Sequence, residues 1–402
     1  MADRPHDIVV FGATGFTGAL TADYLARNAP AGMSWALAGR NMEKLAGVRR
    51  RLAAIDPACA ELPLMHADVT DAATLRAVAE AARVVITTVG PYIRYGEPLV
   101  AACATAGIDY VDLTGEPEFV DRMWLKYHRQ AEQTGARLVH SCGFDSIPYD
   151  LGVQFTVEHL PEGMPISVDG FMRTKGSFSG GTYQSAIEIL GGLRSGSKVA
   201  RERRKLEGDP TGRRVRGVSG RPHPDQFAGG WVVPFPTIDP ATVLRSARAL
   251  DRYGPDFSYS HYAVVGPLPM LVGLGAAAGA AVALAQIPPT RNLLLKLKSS
   301  GEGPSEEKRA KSWFSVRFAA RAGGGASAGG GSADGGVQLR TQVNGGDPGY
   351  SETSKMLGES ALCLAYDDLP KRAGQLTPAA AMGPALRRRL EAAGIEFKVL
   401  DG

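Results

Sequence analysis

The feature that most constrains this chain is an apolar run that leads through a glycine-rich turn into a helical pattern. DIVVF occupies residues 7–11, GATGFTG follows at 12–18, and ALTADYLARN continues at 19–28, before Pro30. A buried parallel strand that enters a helix through such a turn is typical of dinucleotide-binding folds. We therefore predict an α/β protein that begins with a Rossmann-type, doubly wound parallel sheet.

The three glycines of this turn have separate predicted roles. Gly12 permits the tight turn, Gly15 lets the backbone approach a pyrophosphate, and Gly18 lets the helix pack closely on the strand. The N–H groups at the start of the helix then bind the phosphates. We expect cofactor contacts from six residues of the turn: Gly12, Thr14, Gly15, Phe16, Thr17 and Gly18.

The end of the second predicted strand, residues 33–38, indicates which cofactor binds. Arg40 stands there, and no acidic residue occurs between Asp23 and Glu43. NAD-selective sites usually place an acid at this point to hold the ribose hydroxyls. A guanidinium instead makes charge-assisted bonds to a phosphate. The sequence therefore predicts NADP, as NADPH, rather than NAD.

Strand and helix patterns continue to alternate as far as residue 143. Further strands are predicted at 62–69, 84–89, 110–116 and 136–143. Alternating strands and helices predict a parallel sheet with right-handed crossovers, and ligands bind beyond the carboxyl ends of such strands. At these ends we expect cofactor contacts from four more residues: Asp68, Val89, Gly90 and Pro91. Asp68 is the predicted hydrogen-bond partner of the adenine.

The alternation stops near residue 148, which divides the chain into three predicted regions. Residues 1–148 form the NADP-binding Rossmann domain, and 149–350 form an α+β substrate domain. Residues 351–402 supply C-terminal helices and a strand that pack back on the core. Within the second region the sequence predicts a basic loop at 194–221 and an uncharged apolar segment at 264–289.

The basic loop has a larger net positive charge than the whole chain. It has ten Lys or Arg against three acids, a net charge of +7, whereas the chain has a net charge of +4. Such a run is either a solvated loop or a surface that attracts an acidic carrier protein or an anionic membrane. Nucleic acid is not expected as a partner, because no aromatic residues are interleaved with these charges for base stacking.

The apolar segment at 264–289 leaves three alternatives open. It is long enough to cross a bilayer, for which ~20 residues suffice, but it is mostly Ala and Gly with prolines at both ends. We expect it to dip into the bilayer or line a lipid tunnel, with a buried helix and a true span as alternatives. The expected localisation is cytoplasmic, with peripheral contact at the inner face of the plasma membrane. Four scattered cysteines without a C-x-x-C pair predict neither disulfides nor a metal site.

Seven motifs together resemble the saccharopine dehydrogenase-like oxidoreductases, and within them the trans-acting enoyl reductases of polyketide-lipid biosynthesis. The motifs are GATGFTG at 12–18, AGR at 38–40, TTVGPY at 87–92, YVDLTGE at 110–116, GFDSIPYDLG at 143–152, SGGTYQSA at 179–186 and GQLTPAAAMGPAL at 374–386. This resemblance spans nearly the whole chain. It implies NADPH-dependent reduction of an unsaturated, lipid- or polyketide-type acyl chain bound to a carrier.

Double-bond reduction needs a hydride at one carbon, a proton at the next and a donor toward the enolate oxygen. Tyr92, Tyr95 and Tyr183 are the candidate donors, and Asp145 is a candidate to orient the donor. Two other functions stay open at this stage. One is a saccharopine-type amino-acid or imine dehydrogenase, and the other is a non-catalytic, lipid-associated protein that binds a cofactor.

Overall fold

The fold is given by a computed structural model. It describes residues 4–176, 193–208, 210–235, 237–265, 284, 290, 303–323 and 336–400. The strands in these ranges are β1 (His6–Phe11), β2 (Trp35–Gly39), β3 (Leu64–His66), β4 (Ala82–Thr87), β5 (Asp109–Val111), β6 (Arg137–Val139), β7 (Ile166–Lys175), β8 (Arg214–Gly217), β9 (His223–Asp225), β10 (Gly230–Pro234), β11 (Asp256–Val265), β12 (Trp313–Ala322), β13 (Val337–Gly345), β14 (Gly374–Leu376) and β15 (Glu396–Leu400).

The helices also lie within the described residues. They are α1 (Phe16–Asn28), α2 (Met42–Ala53), α3 (Ala72–Ala81), α4 (Tyr92–Tyr95), α5 (Glu97–Ala106), α6 (Pro117–Thr134), α7 (Ile147–Glu158), α8 (Leu193–Glu207), α9 (Asp239–Ala249), α10 (Glu306–Ala310), α11 (Ser351–Tyr366), α12 (Pro378–Ala381) and α13 (Gly383–Ala392). Two short 3₁₀ turns lie at Pro57–Glu61 and Asp251–Tyr253.

The first sheet is parallel and has the strand order β14-β6-β5-β4-β1-β2-β3. The chain moves outward from β1 to β3 in one direction and from β4 to β6 in the other, so the direction of winding reverses between β1 and β4. Val9 of β1 is paired with Ala36 on one side and Val85 on the other. Apolar helix faces cover both sides of the sheet, with Leu25 on one side and Leu99 on the other. The predicted doubly wound Rossmann-type sheet is confirmed.

A second, mixed sheet has the order β15-β13-β12-β7-β11-β10-β9, and β8 pairs with β11. β12 and β13 are antiparallel, as their alternating sequences predict. Helix α7 packs closely on this sheet, because a Cβ at Gly152 would lie 2.5 Å from the Phe318 ring. Since α7 follows directly after β6 and its loop, it places the second sheet beside the carboxyl ends of the first.

The C-terminal region contributes to both sheets. β14 adds a seventh strand to the first sheet, where Gln375 is paired with Leu138 of β6. β15 pairs with β13 in the second sheet, where Phe397 lies opposite Val343. The sequence analysis predicts the last strand but not β14, whose three residues are too short to show an alternating pattern.

The prediction of a basic loop at 194–221 is wrong, because much of this stretch is regular structure. It contains most of α8 and all of β8. Arg and Leu are good helix formers, and one of the basic residues is docked rather than solvated. Arg203 is buried, donates from Nη1 to Asp121 Oδ1 at 3.0 Å, and lies over the Trp124 ring at 5.0 Å.

The predictions for the apolar segment fall mostly outside the described residues. Of residues 264–289, the structure describes Val264 and Val265, which end β11, and Leu284. Within the part of the chain that is described, none of the helices combines the length and apolar character needed to cross a membrane.

Candidate active site

The loops after β1 and β4 meet where the winding of the first sheet reverses. Thr88 donates from its backbone N–H to Phe11 O at 3.1 Å and from its hydroxyl to Gly12 O at 3.2 Å. Gly12 has φ +93°, and a Cβ there would lie 2.8 Å from both Thr88 Oγ1 and Val89 Cγ2. Such a reversal point is where open α/β sheets bind their ligands.

Gly15 and Gly18 are required for different reasons. A Cβ at Gly18 would lie 2.2 Å from Gly12 O, so this glycine lets α1 pack against the turn. Among the described residues, a Cβ at Gly15 would come no closer than 3.4 Å to any atom outside its chain neighbours. Gly15 is exposed and precedes α1 without a side-chain cap. The space beside it, and the N–H groups of the first turn, therefore face outward toward a ligand.

The other residues of the turn flank this space. Thr14 is exposed, while Phe16 is half-buried and packs edge-on against Tyr350 with ring centroids 4.8 Å apart. The Thr17 carbonyl accepts the Thr21 hydroxyl of the same helix at 3.0 Å and the Ser354 hydroxyl of α11 at 3.4 Å. Thr14 is thus on the exposed side of the turn, whereas Phe16 and Thr17 contact α11 and its preceding loop.

Arg40 is exposed at the end of β2, beside the loop that follows β3. In that loop Asp68 Oδ1 accepts the Thr70 N–H at 2.9 Å and the Thr70 hydroxyl at 2.8 Å. These bonds, with the positive charges of Arg40 and His66, lower the pKa of Asp68. The structure therefore brings the predicted adenine and 2′-phosphate contacts together at one end of the edge formed by the carboxyl ends of the first sheet's strands. We call this edge the cofactor edge.

The loop after β4 places Val89, Gly90 and Pro91 on the same edge, with a cis peptide bond between Gly90 and Pro91. The backbone N–H groups of Tyr92 and Ile93 donate to the Glu116 carboxylate at 3.0 and 2.8 Å. Glu116 thereby ties the loop after β4 to the loop after β5.

The three candidate tyrosines do not lie in equivalent positions. Tyr92 is buried, and its hydroxyl donates to Thr87 O at 3.1 Å and accepts the Leu113 N–H at 3.2 Å. Burial and the nearby Asp112 charge raise the pKa of Tyr92 further above its usual value. Tyr95 is exposed on α4. Tyr183 lies outside the described residues.

Asp145 lies in the loop between β6 and α7, at the carboxyl end of the sheet. It faces Gly115, whose Cβ would stand 3.4 Å from Asp145 Oδ1. Burial, together with the negative charges of Asp112 and Glu116, raises the pKa of Asp145 to about 7. With the adenine end of NADPH at Arg40 and Asp68, as predicted, its nicotinamide end would lie toward the loops after β4 to β6. Asp145 is a carboxyl group in one of these loops.

Asp112, whose charge acts on Asp145, lies in a buried hydrogen-bond network. Its carboxylate accepts the Thr114 N–H at 3.0 Å, the Ser141 N–H at 2.9 Å and the Tyr110 hydroxyl at 2.9 Å. Its Oδ2 also lies 2.7 Å from His140 Nδ1. Asp112 thus joins the loops after β5 and β6 close to Asp145.

Three buried residues on the second-sheet side of Asp145, two of which feel its charge, are not identified from the sequence. Tyr149 is on α7, Asp239 begins α9, and His261 is on β11. An Asp before Pro at the start of a helix looks like an ordinary helix terminus, and a His within an aromatic strand looks like core. Only the tertiary structure brings these side chains to the site.

The residues present fit NADPH. Gly15 leaves open space at an uncapped helix N-terminus, where a pyrophosphate binds. The exposed Arg40 offers its guanidinium to the 2′-phosphate at the adenine end. Bound there, NADPH would supply the hydride, and its nicotinamide end would lie toward Asp145.

Comparison with known proteins identifies the cofactor and the fold. Residues 8–139 match the family model of the saccharopine dehydrogenase NADP binding domain, and the cofactor is NADP(H). The fold is similar to that of apo saccharopine dehydrogenase (L-Glu forming) from Saccharomyces cerevisiae. The TM-score is 0.57 over 98% of this chain and 100% of that one, at 12% identity.

Curated relatives match over nearly their whole length. A Mycobacterium tuberculosis protein provisionally named trans-acting enoyl reductase is 40% identical, covering 98% of this chain and 97% of the relative. The trans-acting enoyl reductases of Mycobacterium bovis and Mycobacterium ulcerans are each 36% identical with the same coverage. The chain is an NADP-dependent oxidoreductase and belongs to the saccharopine dehydrogenase-like family, in the trans-acting enoyl reductase group.

Proposed function

We propose that this protein reduces the double bond of an enoyl group attached to a carrier, with NADPH as the hydride source. The observation that carries the proposal is the position of Asp145, a half-buried carboxyl in the loop between β6 and α7, whose pKa is raised to about 7. A carboxyl that is partly protonated near neutral pH suits general acid catalysis. The names of the full-length relatives support the same reaction.

Asp145 is the proton donor in this proposal. The Tyr92 hydroxyl is occupied by two backbone partners and has a raised pKa, so it is poorly placed to give its proton away. Asp145 faces the glycine backbone at Gly115 instead. Its O–H bond breaks as the new C–H bond forms on the substrate carbon next to the thioester. Tyr95 and Tyr183 stay candidates for contacts to the substrate.

The partner is an acyl carrier, and α8 is its docking surface. Lys198, Arg201, Arg204 and Lys205 are exposed on α8. The helix begins beside the cofactor edge, since a Cβ at Gly196 would lie 3.6 Å from the Glu118 carboxylate in the first turn of α6. Positive charge at the mouth of the site attracts an acidic carrier and guides its approach.

Peripheral contact with an anionic membrane is part of the same proposal for a lipid-type substrate. The exposed cations of α8 support this contact, because each Lys or Arg near an anionic surface contributes ~1 kcal/mol to the free energy of binding. A role in lipid biosynthesis at the inner face of the plasma membrane follows if the acyl chain is long and the carrier delivers it there.

Product identification tests the proposed reaction. A trans-2-enoyl pantetheine thioester and an amino-acid substrate of the saccharopine type are each incubated with the protein and NADPH, and the products are analysed by mass spectrometry. We expect the saturated thioester to form in step with NADPH oxidation. Oxidation of NADPH only with the amino-acid pair would favour the dehydrogenase alternative. No oxidation with either would favour a non-catalytic role.

A further inference from the structure

The second sheet has one face packed on α7 and another face turned away from it. A Cβ at Gly152 of α7 would lie 2.5 Å from the Phe318 ring of β12. Because side chains alternate along a strand, Arg317 points to the opposite side, which we call the outer face. Arg317 lies opposite Phe171 of β7 and Gln342 of β13. Residues that lie opposite one another share a face, so these three side chains are neighbours on the outer face.

A cavity of about 340 Å³ opens on this outer face. Phe171, Val264 and Trp313 give it apolar walls, and Arg173 and Arg317 give it two cations. Trp313 is 39% exposed and Arg173 is also exposed, so both lie where the cavity meets solvent. Cavities that hold small ligands have volumes of about 300–1,000 Å³, mostly apolar walls and a few polar groups. This cavity has that size and that composition.

The two arginines of the cavity are neighbours. Arg173 is paired with Ser315, two residues before Arg317, so the two arginine Cα atoms lie about 7–8 Å apart. Among the described residues, neither guanidinium pairs with a carboxylate, and Arg173 has no hydrogen bond. Ser315 also lines the cavity, and its Oγ accepts Gln342 Nε2 at 2.7 Å. The cavity therefore combines two uncompensated positive charges with polar groups beside them.

Two acidic side chains of the outer face have partners of their own. Glu396 forms an ion pair with Lys398 and accepts Asn344 Nδ2 at 2.9 Å. Asp169 accepts a hydrogen bond from Ser260 and lies near another cation of the sheet. Neither acid forms an ion pair with an arginine of the cavity, so the positive charge there is left for a ligand.

The loop between β9 and β10 holds Arg317 in one orientation. Arg317 Nη1 donates to Phe227 O at 2.8 Å, and its guanidinium carbon lies 5.7 Å from the centroid of the Phe227 ring. The Arg340 guanidinium carbon lies 5.0 Å from the same centroid. Ala228, the next residue of the loop, is buried and lines the cavity. A cation that is already oriented loses little conformational freedom when a ligand binds.

We propose that this cavity binds an amphipathic anion, a small molecule with a carboxylate or phosphate head and an apolar body. The guanidinium groups of Arg173 and Arg317 bind the head, because their planar geometry matches a carboxylate or a phosphate. The apolar body lies against Phe171, Val264 and Trp313, which removes apolar surface from water. The site is additional to the proposed reductase site, because it lies on the face of the second sheet turned away from α7.

Calorimetric titration of the full chain tests binding with three probes that share one tail: octanoate, octyl phosphate and octanol. We expect at least one of the two anions to bind once per chain, and octanol to bind about tenfold more weakly or not at all. The tighter anion identifies the head as a carboxylate or a phosphate. Equal affinities for octanol and the anions, or no binding of either anion at millimolar concentration, would overturn the proposal. No NADPH or enoyl substrate is present, so the result is independent of the proposed reductase activity.

Arg173→Ala locates the bound anion. It should lower the affinity about tenfold or more, because a charge-assisted bond to the head is lost. The matched control is Arg321→Ala, which removes another exposed arginine of the outer face from outside the cavity. The control should bind the anion as the wild type does. Unchanged affinity in Arg173→Ala, or equal losses in both variants, would contradict the assignment. If thermal denaturation shows that Arg173→Ala is unfolded, Arg173→Gln takes its place.

Analytical ultracentrifugation tests a second copy of the chain as the occupant of the outer face. The wild type and Arg173→Glu are compared over a range of protein concentrations, each with and without octanoate. We expect the two proteins to have the same oligomeric state. A wild-type dimer that Arg173→Glu dissociates, together with no binding of either anion, would make this face an interface between copies and overturn the proposal.

Discussion

Gly18 lies against the carbonyl oxygen of Gly12 so closely that a Cβ at position 18 would stand 2.2 Å from that oxygen. Gly15, three residues earlier, has no such close neighbour in the part of the chain that the structure describes. The same turn therefore contains one glycine required by the fold and one that the protein itself does not require. This difference leads to the first prediction.

Gly15→Val should fold normally and lose NADPH binding, because its side chain would occupy the space of the pyrophosphate. Gly18→Ala should instead lower the free energy of unfolding, because α1 must shift away from the turn. Chemical denaturation and NADPH fluorescence titration measure the two effects. Normal NADPH binding by Gly15→Val would mean that this glycine serves only the turn.

Arg40→Ala should weaken NADPH binding about tenfold or more and leave NADH binding nearly unchanged. A charge-assisted bond to the 2′-phosphate is lost, and such bonds contribute about 1.5–3 kcal/mol. Both cofactors are titrated against wild type, Arg40→Ala and a control, Arg27→Ala, which removes an exposed cation from the far end of α1. Equal affinities of the wild type for NADPH and NADH would refute the assignment of Arg40.

Enoyl reduction should slow as the pH rises through about 7, the pKa to which burial and nearby carboxylates raise Asp145. The protonated form is the donor, so the rate is constant below this pKa and falls above it. Asp145→Asn should abolish this pH dependence and lower the rate about 10²–10⁴-fold. Tyr92→Phe is the comparison and should keep the wild-type pH profile. A pH profile that is the same in Asp145→Asn and wild type would exclude Asp145 as the donor.

Charge reversal on α8 should impair only carrier-linked substrates. Lys198→Glu combined with Arg201→Glu should lower kcat/KM about tenfold for an enoyl group on a purified, negatively charged carrier domain at low salt. The value for the free pantetheine thioester should not change. Lys311→Glu, at an exposed lysine beyond α10, is the control. Equal losses with both substrates would indicate damage to the active site rather than to a docking surface.

Binding to membranes is tested by sedimentation with anionic vesicles. We expect part of the protein to sediment at low salt and less at high salt, where the cations of α8 are screened. Deletion of residues 266–289, which leaves β11 intact, should weaken binding at every salt concentration, because an apolar insertion and a basic patch act as two separate signals. A protein that stays entirely in the supernatant at low salt would contradict the membrane proposal.

The cofactor half of the site can be predicted from sequence because its determinants are local. The strand, the glycine turn and the helix lie within residues 7–28, and Arg40 directly follows the second strand. Parallel strands align their carboxyl ends at one edge. Residues at successive strand ends, such as Asp68 and Asp145, must therefore lie along that edge whatever the details of packing.

The ends of these strands are less predictable. The pattern YVDLTGE predicts a strand at 110–116, yet β5 ends at Val111. Asp112 leaves the strand because its carboxylate accepts hydrogen bonds from Thr114 and from Ser141, on a loop 29 residues away. Such a competing network depends on tertiary contacts.

The sequence by itself determined the doubly wound sheet, the glycine turn and NADP(H) as the cofactor, because each follows from neighbouring residues and the geometry of parallel strands. Only the tertiary structure decided that β14 completes the first sheet, that α8 docks through Arg203, and that α9 packs beside α7. These contacts join residues far apart in the chain, as the bond between Ser146 and Thr242 does across 96 positions. Burial then changes their chemistry, because a carboxyl group removed from water keeps its proton to a higher pH.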